Sequence, residues 1–276
     1  MDFSAASRVA GASFALGVGA GLALACMLPS PATRQRHSAT SVGASPHAGM
    51  PSPAGAASPP EIPSLLGEFY VGIDVGGTTI GVGVVRGDGK MVASSERCIE
   101  EGAKSRSARH IIDLIAVLVR TTLASVASTA FSKSRVVDDG MTPGDIIRFG
   151  IGAPGLLDCE NGIVKAIANF DWEEEVALAA EVASRLGVSP SRVHLENDAN
   201  AALLAEIWVG TCRGKSNVVM LTLGTGIGGA ILSDGRLLRG SSGDAGEFGH
   251  TILVPGGRLH GSTGVRGIFE GYASAT

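Results

Sequence analysis

Glu196-Asn197-Asp198-Ala199-Asn200 sets two carboxylates and two carboxamides directly ahead of the apolar run Ala201 to Val209. A carboxylate at the mouth of a helix can orient a hydroxyl and take its proton. The competing role for Asn197 and Asp198 is an ordinary helix N-cap, for which both residue types are suited. A capping Asp has its charged form stabilised by the helix end, which weakens it as a base. Phosphoryl transfer tolerates a weak base, because positioning and charge stabilisation carry most of that reaction. Two further stretches suit phosphate: Asp74-Val75-Gly76-Gly77-Thr78-Thr79 and Leu223-Gly224-Thr225-Gly226-Ile227-Gly228-Gly229. Their glycines let backbone N–H groups approach an anion with no Cβ in the way. Each turn joins strand to strand, which excludes the dinucleotide fingerprint and the Walker loop, both of which need a following helix. Asp74, at a strand end, is placed to hold the water shell of Mg²⁺, and Thr78 and Thr79 to donate to phosphate oxygens. Either turn alone reads equally as a plain hairpin. Two of them, ~150 residues apart with a carboxylate helix start between, are far more specific. In Gly243-Asp244-Ala245-Gly246-Glu247-Phe248-Gly249-His250, Glu247 and His250 are spaced to share one face of a helical turn. Such a pair can bind two adjacent hydroxyls, hold a metal, or simply hydrogen-bond to itself.

The elements that must position these residues follow from hydrophobic periodicity. Tyr70 to Val75, Ile80 to Arg86 and Met91 to Cys98 predict a three-stranded antiparallel meander. Ser107 to Thr129 follows helical period. Ile146 to Ile151 reads as a buried strand that exits through Gly152-Ala153-Pro154-Gly155. An extended piece runs from Asn161-Gly162 to Ile167, then a helix is expected over Trp172 to Leu186 and a short strand over Arg192 to Leu195. A helix over Asp198 to Trp208 and a hairpin of Asn217 to Leu223 with Ile227 to Leu232 complete the order. Strands, then alternating helices and strands, then a new hairpin indicate a mixed α/β sheet in a duplicated, two-lobed fold.

The chain has 276 residues and a net charge of −4, so no broad basic surface for nucleic acid is indicated. Cys26, Cys98, Cys159 and Cys212 are widely spaced, which argues against a disulfide framework and a cysteine zinc cluster. Val9 to Leu28 carries no charge and is long enough to cross a bilayer at ~1.5 Å per residue. It fits a membrane anchor, with Arg34 and Arg36 placing the following domain on the cytoplasmic side. It also fits a cleaved signal at Ala23-Leu24-Ala25, or an organelle-targeting leader, since no Asp or Glu occurs from Phe3 to Pro60. Pro29 to Pro63 is rich in Pro, Ser, Ala and Gly and is expected to be a disordered linker. The expected division is 1–68 as leader and linker, 69–208 as one lobe and 209–276 as the start of a second.

Residues 70–276 resemble the ROK family of sugar kinases and sugar-responsive repressors. The matching pieces are Gly72-Ile73-Asp74-Val75-Gly76-Gly77-Thr78, Gly152-Ala153-Pro154-Gly155, Glu196-Asn197-Asp198-Ala199-Asn200, the second glycine hairpin, Gly246-Glu247-Phe248-Gly249-His250 and Glu270-Gly271-Tyr272-Ala273-Ser274-Ala275, in the family's order. The resemblance implies an actin-like ATPase (ribonuclease H-like) fold with two lobes, the second incomplete because the family continues past the Tyr-Ala-Ser segment. It implies an ATP- and Mg²⁺-dependent hexose kinase, most often a glucokinase, feeding glycolysis. Its alternatives are a sugar-binding regulator without catalysis and an inactive kinase-like fragment; no helix-turn-helix pattern precedes the kinase-like part. By this resemblance Asp198 is the catalytic base, and Asn197, Glu247, His250 and Glu270 bind hexose hydroxyls. Gly155 lies in the loop over the sugar with Asn169 near it. Asp74, Gly76, Gly77, Thr78, Thr79, Gly224, Thr225, Gly226 and Gly228 serve the nucleotide. Family members are often homodimers or tetramers. The family's usual zinc site combines the motif His with three Cys, and here Gly261, Thr263 and Ile268 stand at the cysteine positions. A structural zinc is therefore not expected, since His250 alone cannot supply four ligands.

Overall fold

The computed structural model describes residues 68–99, 106–126, 141–167, 170 and 172–275. Strands β1 (Phe69–Val75), β2 (Thr79–Arg86) and β3 (Met91–Cys98) form the expected meander. Helix α1 (Ala108–Ala124) follows, then β4 (Arg148–Ala153) and a hairpin of β5 (Leu156–Asp158) with β6 (Ile163–Ala166). Helix α2 (Leu178–Leu186), β7 (Val193–Asn197) and α3 (Asp198–Trp208) come next. The chain then enters β8 (Val218–Leu223), β9 (Ile227–Ser233) and β10 (Arg236–Leu238), and closes on a one-turn helix α4 (Glu270–Ala273).

The larger sheet has the order β3-β2-β1-β4-β7, and the smaller one β10-β9-β8. β1 pairs antiparallel with β2 and parallel with β4, and β4 parallel with β7. Alternation sorts β1 into two faces. Phe69, Val71, Ile73 and Val75 join the main core, with Ile111, Ile115 and Val119 of α1 and Leu178 and Val182 of α2. Tyr70 faces the other way, onto Leu204, Ala205 and Trp208 of α3. The opposite side of α3 presents Ala199 and Leu203 to Ala230 and Leu232 of the smaller sheet. Helix α3 is thus covered on two sides, which is why its sequence is apolar nearly all round.

Two expected helix limits shift, one for a local and one for a tertiary reason. α1 ends at Ala124, where the Ser125 hydroxyl turns back to donate to Thr122 O at 2.7 Å. α2 begins at Leu178 rather than Trp172, because Val176 exchanges two 2.9 Å backbone hydrogen bonds with Val164. The Trp172 indole N–H meanwhile donates to Arg106 O at 2.9 Å. No helix among the described residues is long and apolar enough to cross a membrane, and the run at 9–28, the linker and Asn169 lie outside those residues.

Candidate active site

The three parallel strands end at one edge, the side on which open α/β sheets bind ligands. Register aligns Asp74 with Gly152 and Gly152 with Glu196, and in the next row Ala153 with Asn197. Gly76-Gly77, Gly155 and Asp198 continue from these strand ends. Asp74 is flanked by glycine on both neighbouring strands, Gly81 and Gly152. Burial, the Asp198 charge and then the Glu96 charge push Asp74 up to about 7. Burial also raises Asp198, against the opposing pull of the Ala199 N–H, which donates to its Oδ1 at 2.8 Å. Among the described residues, no ion pair neutralises either carboxylate.

Asn197 caps α3 by accepting from the Asn200 N–H at 3.1 Å. Beneath it lies Glu196, 3% exposed. Its Oε1 accepts from the Asn197 N–H at 3.1 Å and the Asn200 amide at 3.0 Å. Its Oε2 accepts from Arg239 Nε at 3.0 Å and Nη2 at 2.5 Å. Asn200 belongs to the motif singled out in the sequence, whereas Arg239 carries no spacing signal that would identify it. Asn200 Oδ1 is buried with no partner among the described residues.

The second hairpin comes to the same place. A Cβ on Gly228 would stand 3.4 Å from Ala199 Cβ, so β9 lies directly on the first turn of α3. Gly76 N–H donates to Thr79 O at 2.9 Å and Gly224 N–H to Gly226 O at 3.0 Å, so both amides are spent inside their turns. Thr78, Gly224 and Thr225 are exposed, and Gly77, Thr79 and Gly226 half-buried. Gly246 has φ +96°, and a Cβ there would meet Gly229 O at 2.4 Å, so only glycine lets the Glu247 turn approach β9 so closely.

Glu247 precedes a 3-10 turn, Phe248–His250, and its Oε2 lies 3.7 Å from His250 Nε2. Both line a cleft of about 330 Å³ with Gly155, Leu156, Gly243 and Asp244. Burial raises Glu247, His250 opposes that shift, and Asp198, Asp244 and Glu270 add to it. Gly155, at φ +97°, could carry no side chain, since a Cβ would sit 2.2 Å from Ala166 O. Glu270 turns to the hairpin instead: its Oε2 accepts from the Ile227 N–H at 2.7 Å and its Oε1 lies 3.2 Å from His260 Nε2. His260 belongs to none of the sequence motifs, and its partners become visible only in three dimensions. Gly261 has no side chain, the Thr263 hydroxyl is engaged with His260, and Ile268 is 1% exposed in the core. These groups do not fit zinc.

The ROK family profile matches residues 70–276. The chain is 41% identical over 209 residues to the glucokinase of Thermotoga maritima, covering 75% of this chain and 57% of the relative. To the glucokinase of Streptomyces coelicolor it is 35% identical over 204 residues, 74% of this chain and 56% of the relative. Among solved structures, a ROK family glucokinase from Streptomyces griseus in complex with glucose and AMPPNP superposes with a TM-score of 0.58 at 34% identity, covering 75% of this chain and 57% of that one. The ROK hexokinase of Thermus thermophilus superposes at 0.55 with 30% identity, covering 75% and 60%. The chain thus spans a little over half the length of the curated relatives it matches. These relatives correct the expected membrane-anchored placement: the 41% identical one is a glucokinase, and the family match begins at residue 70, beyond the 9–28 run. The physical reason is in that run, where ten of the twenty residues are Ala or Gly and gain little on transfer to hydrocarbon. With the family match spanning residues 70–276 and its motifs gathered at one strand edge, the chain belongs to the ROK family.

Proposed function

We propose that this chain carries the hexose site and the phosphate hairpins of an ATP-dependent kinase that converts glucose to glucose 6-phosphate. The observation that carries the reading is the convergence of Asp74, Asp198 and the 223–229 hairpin on the first turn of α3, beside the Glu247–His250 cleft. About 330 Å³ lies within the ~300–1,000 Å³ of small-molecule sites. In the proposed lobe of 69–208, Asn197 and Asp198 face the hexose, and Asp198 accepts the proton of the attacking C6 hydroxyl. Glu247 and His250 accept and donate to neighbouring hydroxyls, while the Gly155 turn closes over the ring. Glu270 retains lone pairs beyond its Ile227 and His260 partners for a further hydroxyl.

The remaining residues of the two hairpins, with Thr78, Thr79 and Thr225, would hold the phosphates; Gly76 and Gly224 shape the turns. Asp74, with no ion-pair partner among the described residues and glycines beside it on both neighbouring strands, would take a water shell of Mg²⁺. That ion supplies charge neutralisation on the β- and γ-phosphates when bound. The test is glucose phosphorylation by the full natural protein and its Asp198→Asn variant. Equal turnover would remove Asp198 from the chemistry, and no turnover on any hexose would remove the kinase reading.

A further inference from the structure

We infer that the 251–269 loop holds Glu270 in place without zinc, with His260 as the positioning residue. Its kinetic consequence rests on the kinase reading above; its structural part does not. Glu270 Oε1 lies 3.2 Å from His260 Nε2, and the two side chains are only 17% and 14% exposed. On the far side of the ring, Nδ1 lies 2.9 Å from Thr263 Oγ1 and 3.3 Å from Ser262 Oγ. Thr263 Oγ1 also accepts from the Val265 N–H at 3.3 Å. A carboxylate has no proton to give, so Nε2 carries the hydrogen and Nδ1 accepts from the Thr263 hydroxyl. Hydrogen bonds thus run from Val265 N–H through Thr263 to His260, and the far nitrogen of the ring stands in a 3.2 Å polar contact with Glu270, whose other oxygen takes the Ile227 N–H at 2.7 Å.

The ring is itself fixed by its backbone: His260 N–H donates to Val265 O and His260 O accepts from Gly264 N–H, each at 2.9 Å. Further bonds close the loop, from Leu253 N–H to Gly267 O at 2.7 Å, from Phe269 N–H to Thr251 O at 2.8 Å, and from Arg258 N–H to Tyr272 Oη at 2.9 Å. Ile268, in a position where a thiolate would be needed, fills core at 1% exposure. The restraint that metal ligands would supply is thus made from an imidazole, a hydroxyl and backbone groups.

The experiment combines zinc analysis, melts with and without excess EDTA, and glucose kinetics on the full natural protein, His260→Ala and His260→Gln. The native protein carries no stoichiometric zinc and EDTA leaves its Tm unchanged. His260→Ala lowers Tm by about 5 °C and raises the glucose KM about tenfold at nearly constant kcat. His260→Gln, whose amide can donate from the Nε2 position, recovers most of both. One zinc per chain with an EDTA-induced fall in Tm would overturn the inference. So would native Tm and KM in His260→Ala, or a fall in Tm with no change in KM. If the native protein phosphorylates no hexose, the kinase reading fails, and glucose affinity by calorimetry replaces KM in deciding the role of His260.

Discussion

Asp74 and Asp198 are two carboxylates raised by the same burial, and they separate by what each can exchange for it. Asp74 stands at about 7 against the usual 3.8, so the fold favours its protonated form. Its contribution to stability is therefore fully present below about pH 4 and is lost as pH rises to about 7. Asp74→Asn removes that dependence. Melts between pH 5 and pH 8 should show the native protein losing several degrees relative to the variant, with the gap closing at the acid end. Bound Mg²⁺ favours the ionised form, so kcat/KM should fall below about pH 7, with a midpoint that moves down as Mg²⁺ rises. A midpoint indifferent to Mg²⁺ would detach Asp74 from the ion. Asp198→Asn makes the complementary case. An amide oxygen can still accept from the Ala199 N–H, as Asp198 Oδ1 does at 2.8 Å, so the helix start survives. The variant should lose about 10²- to 10⁴-fold in kcat, the range of a positioned general base. Glucose affinity by calorimetry should stay close to native.

At the scale of elements, the junction between β7 and α3 holds the candidate site together, and Arg239 is its fastening from the far side. Removing the guanidinium leaves Glu196, its side chain 4% exposed, with one oxygen unpaired. Arg239→Ala should therefore cost about 2–3 kcal/mol in urea unfolding. A paired Glu196→Gln/Arg239→Met variant should recover much of that, because a buried ion pair contributes less than breaking it costs. Gly226→Ala tests the second hairpin: its Cβ would stand 2.6 Å from Glu270 Oε2, where the Ile227 N–H now donates. Loss of that bond should raise the glucose KM more than it lowers kcat. Much of this was legible in sequence. α3 spans the expected Asp198 to Trp208 because an Asn cap and an apolar run are local signals. The two hairpins were readable from glycines between alternating apolar runs. The first turn of α2 was not, since Val176 is drawn into a bridge with Val164 that no window of sequence contains. The Arg239 partner lies 43 residues from Glu196 and shares no pattern with it. The His260 chain was hidden for a different reason: Thr263 and Gly261 read as lost ligands, and a hydroxyl becomes a substitute only once the ring beside it is placed.

On the scale of the whole molecule, α3 lies between two sheets, and its first turn meets both groups of ligand residues. The larger sheet contributes Asp74, and the part after β8 contributes Glu247 and His250. Val219, Leu221 and Leu223 on the outer face of β8 are 64%, 44% and 68% exposed, so among the described residues the smaller sheet is covered on the α3 side only. Ligands binding across the first turn of α3 would add to the packing that already joins the two groups. Saturating either ligand to about 100 times its Kd adds about 2.7 kcal/mol, a Tm rise of roughly 5–10 °C for a folded part of this size. Glucose alone and Mg²⁺ with a non-hydrolysable ATP analogue alone should each raise Tm of the full natural protein, and the two together should exceed the sum of the separate shifts. Glu247→Gln should erase the glucose shift and keep the nucleotide shift, and Asp74→Asn the reverse. If either variant erased both shifts, Asp74 and Glu247 would belong to one site, not to two sites joined by a helix.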